Sequence, residues 1–176
     1  MTRPAWRPMT ADDVAAAHAL SQTVHPGYPE ARAVFAERHQ LYPQGCFALV
    51  REGRLCGYAL SHPFPADSAP ALDTLIGALP REAGNYYIHD VAMLQEARGH
   101  GAASAIVERL KTHARAGGFA CVSLIAVNDS AAFWTRHEFV ARAVPALAGK
   151  LASYGAHAVY MRCALRAATR AHGSEP

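Results

Sequence analysis

The sequence is short of the features that usually disclose a function at once. Its 176 residues hold four cysteines, and no two of them stand as C-x-x-C. Cys46, Cys56, Cys121 and Cys163 each sit in an apolar run. That pattern reads as buried, reduced thiols rather than a disulfide framework or a zinc site. No stretch approaches the roughly 18 apolar residues of a membrane-spanning helix. The opening "MTRPAWRPMT" lacks the apolar centre of a secretory leader, so a cytoplasmic setting is expected. Charge of one sign is scarce as well: 17 Lys and Arg against 14 Asp and Glu leave a net +3. The basic residues are scattered rather than striped, which argues against nucleic acid as a partner. Ten histidines are present, but without H-E-x-x-H or another ligand spacing, and metal chemistry is set aside.

What is there is an ordinary folding composition, 51% hydrophobic and 18% charged. The length favours one domain over residues 1–176, with 166–176 ("RAATRAHGSEP") expected to fray. "TADDVAAAHALSQTV" reads as a helix with Thr10 as N-cap and Asp12 and Asp13 at its positive end. "EARAVFAERHQLY" reads as a second, with Val34, Phe35, Arg38 and Leu41 on one face and Pro43 stopping it. "CFALVREGRLCGYALSH" is a hairpin about Glu52-Gly53. The segment from Pro63 to Gly84 is rich in proline and small residues and too long for a plain connection. It is a lid, a substrate wall or a tolerated insertion, with "ALDTLIGAL" read as a short helix inside it. Then follow a strand (Tyr86–Met93), a helix (Gly101–Ala116), a strand (Cys121–Val127), a helix (Ala131–Arg136) and two last strands (Phe139–Val144, Ala158–Leu165). The order is that of an α/β fold with a mixed sheet.

The chemistry concentrates where "YYIHDVAML" runs through Arg98-Gly99-His100-Gly101 into an alanine-rich helix. A helix that starts straight after a strand points unpaired N–H groups outward, and its dipole adds positive charge. Glycines remove the Cβ atoms that would hold an anion away, so this turn suits a phosphate or pyrophosphate. It also suits a tight turn that needs glycine for geometry alone. A P-loop is excluded for want of G-K-[ST], and a dinucleotide fingerprint fails at Ser104 and lacks the later acidic residue.

Arg98-Gly99-His100-Gly101-Ala102-Ala103 matches R/Q-x-x-G-x-G/A, and "VNDSAAFWTRHEF" resembles N-x-x-A-x-x-[FL]-Y-x-x-x-G-F with Asn128, Ala131, Phe133 and Phe139 in register. On these two motifs the chain resembles the GNAT N-acyltransferase superfamily over nearly its whole length. The first half ("GYPEARAVFAERHQLYPQGCFALV", "GYALSHPFP") is similar to the arylalkylamine (serotonin) N-acetyltransferase branch. The resemblance implies a mixed, mostly antiparallel central sheet splayed between its fourth and fifth strands, with helices on both faces. It implies acetyl-CoA as co-substrate, with no metal. Its pyrophosphate would lie on the N–H groups of Arg98, Gly99, His100, Gly101, Ala102 and Ala103. Its pantetheine arm would pair with the strand near Val91 and Met93, beside Asn128 and Phe133. Asn128 also reads as a helix N-cap.

Acyl transfer to an amine needs a base to take the ammonium proton and an N–H group for the charged thioester oxygen. Alternation along the strand puts Tyr87, His89 and Val91 on one face and Ile88 and Asp90 on the other. In the branch resembled, a histidine at the spacing of His89 removes the amine proton; a second one, two residues earlier, is replaced here by Tyr87. A hydrogen-bonded core histidine is the plain alternative for His89, and Asp90 is the rival base. The family's usual tyrosine after Phe133 is Trp134, whose indole N–H has no useful acidity. Tyr154 is the candidate acid. Tyr28, Pro29, His62, Phe64, Pro65 and Tyr87 offer an aromatic wall for the amine, and Asp67, Asp73 and Glu82 offer negative charge nearby. The expected reaction is direct transfer to a small primary amine, arylalkylamine or polyamine-like, in a ternary complex. Acetylation of a protein lysine or N-terminus and a non-catalytic acyl-CoA-binding module are the alternatives. Monomer and homodimer both remain open.

Overall fold

A computed structural model describes residues 2–165; the tail expected to fray lies outside them. In chain order the elements are β1 (Ala5–Pro8), α1 (Asp13–Val24), α2 (Arg32–Leu41), β2 (Phe47–Arg51), β3 (Arg54–Phe64), β4 (Asn85–Met93), α3 (Ala102–Ala116), β5 (Cys121–Ala126), α4 (Ala131–Arg136), β6 (Val140–Ala141), α5 (Ala148–Ser153) and β7 (Val159–Ala164). The sheet runs β1-β2-β3-β4-β5-β7-β6 and is antiparallel except between β4 and β5. This is the mixed sheet of the GNAT fold. Helices cover both of its faces. Val14, Ala17 and Leu20 of α1 and Phe35 of α2 pack on Tyr58, Leu60 and Ala92. On the other face Ile106, Val107, Leu110 and Ala114 of α3 pack on Ala59, Tyr86, Ile88 and Val122. That apolar stripe recurs every three to four residues and faces the sheet. The Trp6 indole donates to the Ala102 carbonyl (2.8 Å), which fixes the first turn of α3 against the far edge strand.

Several local expectations are corrected. α1 begins at Asp13, and the Thr10 hydroxyl caps nothing; it donates to the Asp13 carboxylate, as the Thr10 N–H does (both 2.8 Å). The Asp13 carboxylate at the helix start is clamped also by Arg7, and no side chain caps the helix. "ALDTLIGAL" forms no helix. The Ile76 and Gly77 N–H groups are bound by the Glu37 carboxylate (2.9 and 2.8 Å), and the Thr74 carbonyl by the Arg38 guanidinium (2.8 Å). These side-chain contacts take the backbone groups that a helix would use. The strand expected over Phe139–Val144 shrinks to Val140–Ala141, and α5 appears in the segment before β7, where the sequence reading placed none. All four cysteines are free and buried.

The long segment after β3 is therefore a tethered wall. Arg38 is completely buried beside Glu37, and Glu37 ties both that cation and two loop N–H groups. At the other end the Lys150 ammonium donates to the Ala69 carbonyl (2.7 Å). Glu37→Ala should cost about 3 kcal/mol by leaving a buried cation without its partner. It should also speed amide exchange at Ile76 and Gly77. Thermal unfolding and hydrogen exchange check this; unchanged exchange there would mean that the wall is held by other contacts.

Candidate active site

β4 and β5 pair only where Asn85, Tyr86 and Tyr87 face Cys121, Val122 and Ser123. Beyond Tyr87 the strands part, and the edge of β4 that faces β5 keeps unpaired backbone N–H and C=O groups. A cavity of about 880 Å³ opens in this gap. It reaches from the glycine turn, past Val91 and Met93, to Tyr28, Glu30, Leu72 and Tyr154.

The glycine turn leaves its backbone open to the cavity. Gly99 and Gly101 have φ of +80° and +75°, and the Cβ positions at both face open space. The first backbone bond of α3 is Ala105 N–H to Gly101 C=O (3.0 Å), so the N–H groups ahead of Ala105 have no acceptor within the helix. Gly99, Gly101, Ala102 and Ala103 line the cavity, whereas His100 does not; its Nδ1 turns to the Arg98 carbonyl (2.8 Å). Arg98 lines the cavity too, with its guanidinium bonded to the Met93 carbonyl at the end of β4 (3.2 and 3.3 Å). These residues fit a pyrophosphate on the helix N-terminus and an extended arm along the free edge of β4.

At the other end, strict alternation along β4 fails. Leu60 pairs with Asp90 and Ser61 with Ile88, so His89 is the extra residue of a β-bulge. Tyr86 and Ile88 face α3, while Asp90 bonds the Tyr58 hydroxyl and Ala92 packs with α1, on the opposite face. Asp90 is thus carried to the side of His89, contrary to the alternation expected for it. The His89 Nε2 lies 2.9 Å from Glu30 Oε2, with side chains only 4% and 8% exposed. Glu30 Oε1 also accepts the Asp73 N–H (3.2 Å). Burial pushes the Glu30 carboxyl up, but His89 and the Asp73 N–H hold it below its ordinary value. Asp90 is likewise lowered: burial raises it, and His25 and the Tyr58 hydroxyl prevail. Its rival role as base is therefore occupied by these contacts.

Other candidates are placed as follows. Tyr28 and Tyr154 stack at 6.3 Å between centroids, both facing the cavity. Burial raises the Tyr154 phenol, which reaches the Pro70 carbonyl at 3.4 Å. Tyr87 lines the cavity with its hydroxyl pushed well up by burial. His62 and Phe64 do not line the cavity and stand behind Tyr87. His62 is buried, its Nδ1 lies 2.9 Å from the Pro63 carbonyl, and burial pushes it down to about 3. Asp67 pairs with Arg162, and Asp73 braces Glu30 and the Ala31 N–H. Phe133 and Trp134 line the cavity, and the indole donates to Ser130 Oγ (3.2 Å). Ser130, not Asn128, is the N-cap residue of α4. Asn128, held at φ +51°, instead meets the His25 ring (3.1 Å). No cysteine lines the cavity, and burial raises the Cys46 thiol to about 12, which leaves no ready thiolate there.

Glu30 and His25 went unmarked in the sequence. Both belong to the α1–α2 connection around "HPGYPE", and no local pattern pairs them with β4.

The model of the Acetyltransferase (GNAT) family matches residues 14–139, and the chain belongs to that family. It is an acyl-CoA N-acyltransferase with acetyl-CoA as its co-substrate. In fold it is similar to Ard1 from Thermoplasma volcanium (16% identity, TM-score 0.71, covering 94% of this chain and 99% of that one). It is similar also to the ribosomal-protein-S18-alanine N-acetyltransferase from Escherichia coli (15%, 0.64, 96% and 97%). A third similar structure is the GNAT-like decarboxylase GphF in complex with isobutyryl-CoA (16%, 0.75, 92% and 100%). No curated protein sequence matches the chain.

Gly101→Ala tests the turn. A side chain at φ +75° costs about 1–2 kcal/mol, and it narrows the approach to the helix N–H groups. The dissociation constant for CoA, read by titration calorimetry, should rise about tenfold while the protein stays folded. Unchanged affinity in a folded variant would remove the turn from CoA binding.

Proposed function

We propose that the protein transfers an acetyl group from acetyl-CoA directly to a small primary amine, with His89 as general base and Glu30 as the carboxylate that orients it. The observation that carries this reading is the buried Glu30–His89 pair at the bulge, facing the same cavity as the glycine turn. With Nε2–H given to Glu30, the lone pair of His89 rests on Nδ1, the nitrogen left to take an amine proton. The free edge of β4 supplies N–H groups for the thioester oxygen. Such an arrangement supports catalysis over a module that only binds acyl-CoA.

The acceptor end favours an amine with an aromatic or apolar body, as in the arylalkylamine branch that the sequence resembles. Both carboxylates facing the cavity are engaged: Glu30 by His89 and the Asp73 N–H, Asp90 by Tyr58 and His25. A polyamine's second ammonium finds neither free. The stacked Tyr28 and Tyr154, beside Leu72, offer a face to a ring or a cation. A second reading, acetylation of a protein, is favoured by one of the similar folds, which is named a ribosomal-protein-S18-alanine N-acetyltransferase. Against it stands the wall from Ala69 to Gly77, bound to α2 and α5, which narrows the acceptor end for a peptide.

Release of CoA thiol from acetyl-CoA across phenylethylamine-like, tryptamine-like and polyamine substrates, with an N-terminal peptide and a lysine peptide included, tests both readings. Turnover is expected on the aromatic amines. His89→Ala should lower kcat/KM about 10²–10⁴-fold and abolish the acidic limb of its pH profile. Turnover confined to peptides, or an acidic limb that survives in His89→Ala, would overturn the proposal.

A further inference from the structure

A second cluster of reactive side chains lies where α3 meets the end of α4, and acyl transfer to an amine makes no use of it. Ser104, Glu108 and Lys111 stand four and three residues apart on α3 and so share one stripe of the helix. His137, just past α4, reaches that stripe. Its Nε2 lies 3.1 Å from Ser104 Oγ, and its Nδ1 lies 3.6 Å from Glu108 Oε1. The Lys111 ammonium donates to the same Glu108 oxygen (3.4 Å) and to the His137 carbonyl (3.2 Å), which ties the carboxylate and the histidine backbone together. The next residue, Glu138, has φ +69° and bonds Lys111 through its carboxylate. A left-handed backbone is costly for a residue with a side chain, so the turn that presents His137 is held against its own preference.

The arrangement has the order hydroxyl, imidazole, carboxylate. Negative charge beside Nδ1 favours the proton there, which leaves the Nε2 lone pair to accept the Ser104 O–H. That order activates a serine as a nucleophile. Ser104 is exposed and lines the cavity. It precedes Ala105, so its own N–H is among those with no acceptor within α3, and such groups answer the charge that develops on an acyl oxygen. Phe133 lines the cavity too, with its ring 4.8 Å from the His137 ring between centroids, and offers an apolar surface beside the serine.

We propose that Ser104 is the nucleophile and His137 the base of a second, ester-hydrolysing site, with Glu108 as the residue that positions the imidazole. Its substrates are small carboxylic esters with an apolar body, and water is the co-reactant. Ser104 Oγ bonds the acyl carbon as His137 Nε2 takes the hydroxyl proton. The ester carbon–oxygen bond then breaks with its electron pair going to oxygen, and the departing alcohol receives that proton. Water next attacks the acyl-serine and gives its proton to Nε2. The carbon–Oγ bond breaks, Ser104 regains the proton, and the carboxylic acid leaves. Ser104 lies close after the glycine turn, so an ester and CoA compete for this part of the cavity. The activity goes beyond acyl transfer to an amine and does not depend on it.

The test uses the whole chain without CoA or amine. Release of nitrophenol from p-nitrophenyl acetate is followed, and in parallel the protein is treated with phenylmethylsulfonyl fluoride and mapped by mass spectrometry. Release should saturate with ester, and the sulfonyl group should be found on Ser104. Ser104→Ala should lose the label and the saturable release. His137→Gln should lower kcat/KM about 10²–10⁴-fold, and Glu108→Gln should lower kcat with KM unchanged. Equal release by wild type and Ser104→Ala, both folded by circular dichroism, or a label that falls on other residues and spares Ser104, would overturn the proposal. Since neither assay contains CoA or an amine, a failure here and a failure of amine acetylation are told apart.

Discussion

Glu30 and His89, 59 residues apart in the chain, meet at 2.9 Å in a place almost closed to water. Burying a carboxylate is costly unless its charge and lone pairs are answered, and much of the surrounding architecture supplies those answers. The Asp73 N–H takes the second oxygen, Asp73 in turn holds the Ala31 N–H, and the His18 ring binds the Glu30 carbonyl (3.0 Å). The wall segment is tied to α2 as well, where Glu37 and Arg38 hold Ile76, Gly77 and Thr74. A site residue and the loop that shapes its pocket are thus one electrostatic unit, and neither is positioned without the other.

The second constraint is the shape of β4. Its pairing with β5 stops at Tyr87, and its pairing with β3 skips His89. The first interruption opens the cavity and frees a strand edge. The second turns His89 and Asp90 to one side, so that two carboxylate–imidazole pairs, Glu30–His89 and Asp90–His25, look into a single space. A regular strand would have sent Asp90 into the core beneath α3. Bulges re-aim side chains in this way at the cost of ladder hydrogen bonds, and here the side chains so aimed are the ionisable ones.

These features also explain what was legible in the sequence. The glycine turn could be read because it is local: strand, positive-φ glycines and helix follow one another within a few residues. Its chemistry follows from the unpaired N–H groups. His89 could be singled out because the branch resembled has a histidine at its spacing. Glu30 and His25 could not, because they meet His89 and Asp90 only when the α1–α2 connection folds over β4. The bulge was hidden for a similar reason, since alternation is the default reading of an apolar run and nothing near His89 announces an extra residue. "ALDTLIGAL" has a helical composition, yet Glu37 and Arg38, far back in the chain, claim its backbone groups. The side chains of His62 and Phe64 read as pocket residues from type alone; the fold sets them behind Tyr87, one layer away from the cavity.

The most direct measurement is a double-mutant cycle on kcat/KM with Glu30→Gln and His89→Gln. If the carboxylate acts through the imidazole, the double variant should be about as slow as His89→Gln alone, because a silent base has nothing left to orient. Losses that simply add would show two independent contributions and contradict the pair as the working unit of the site.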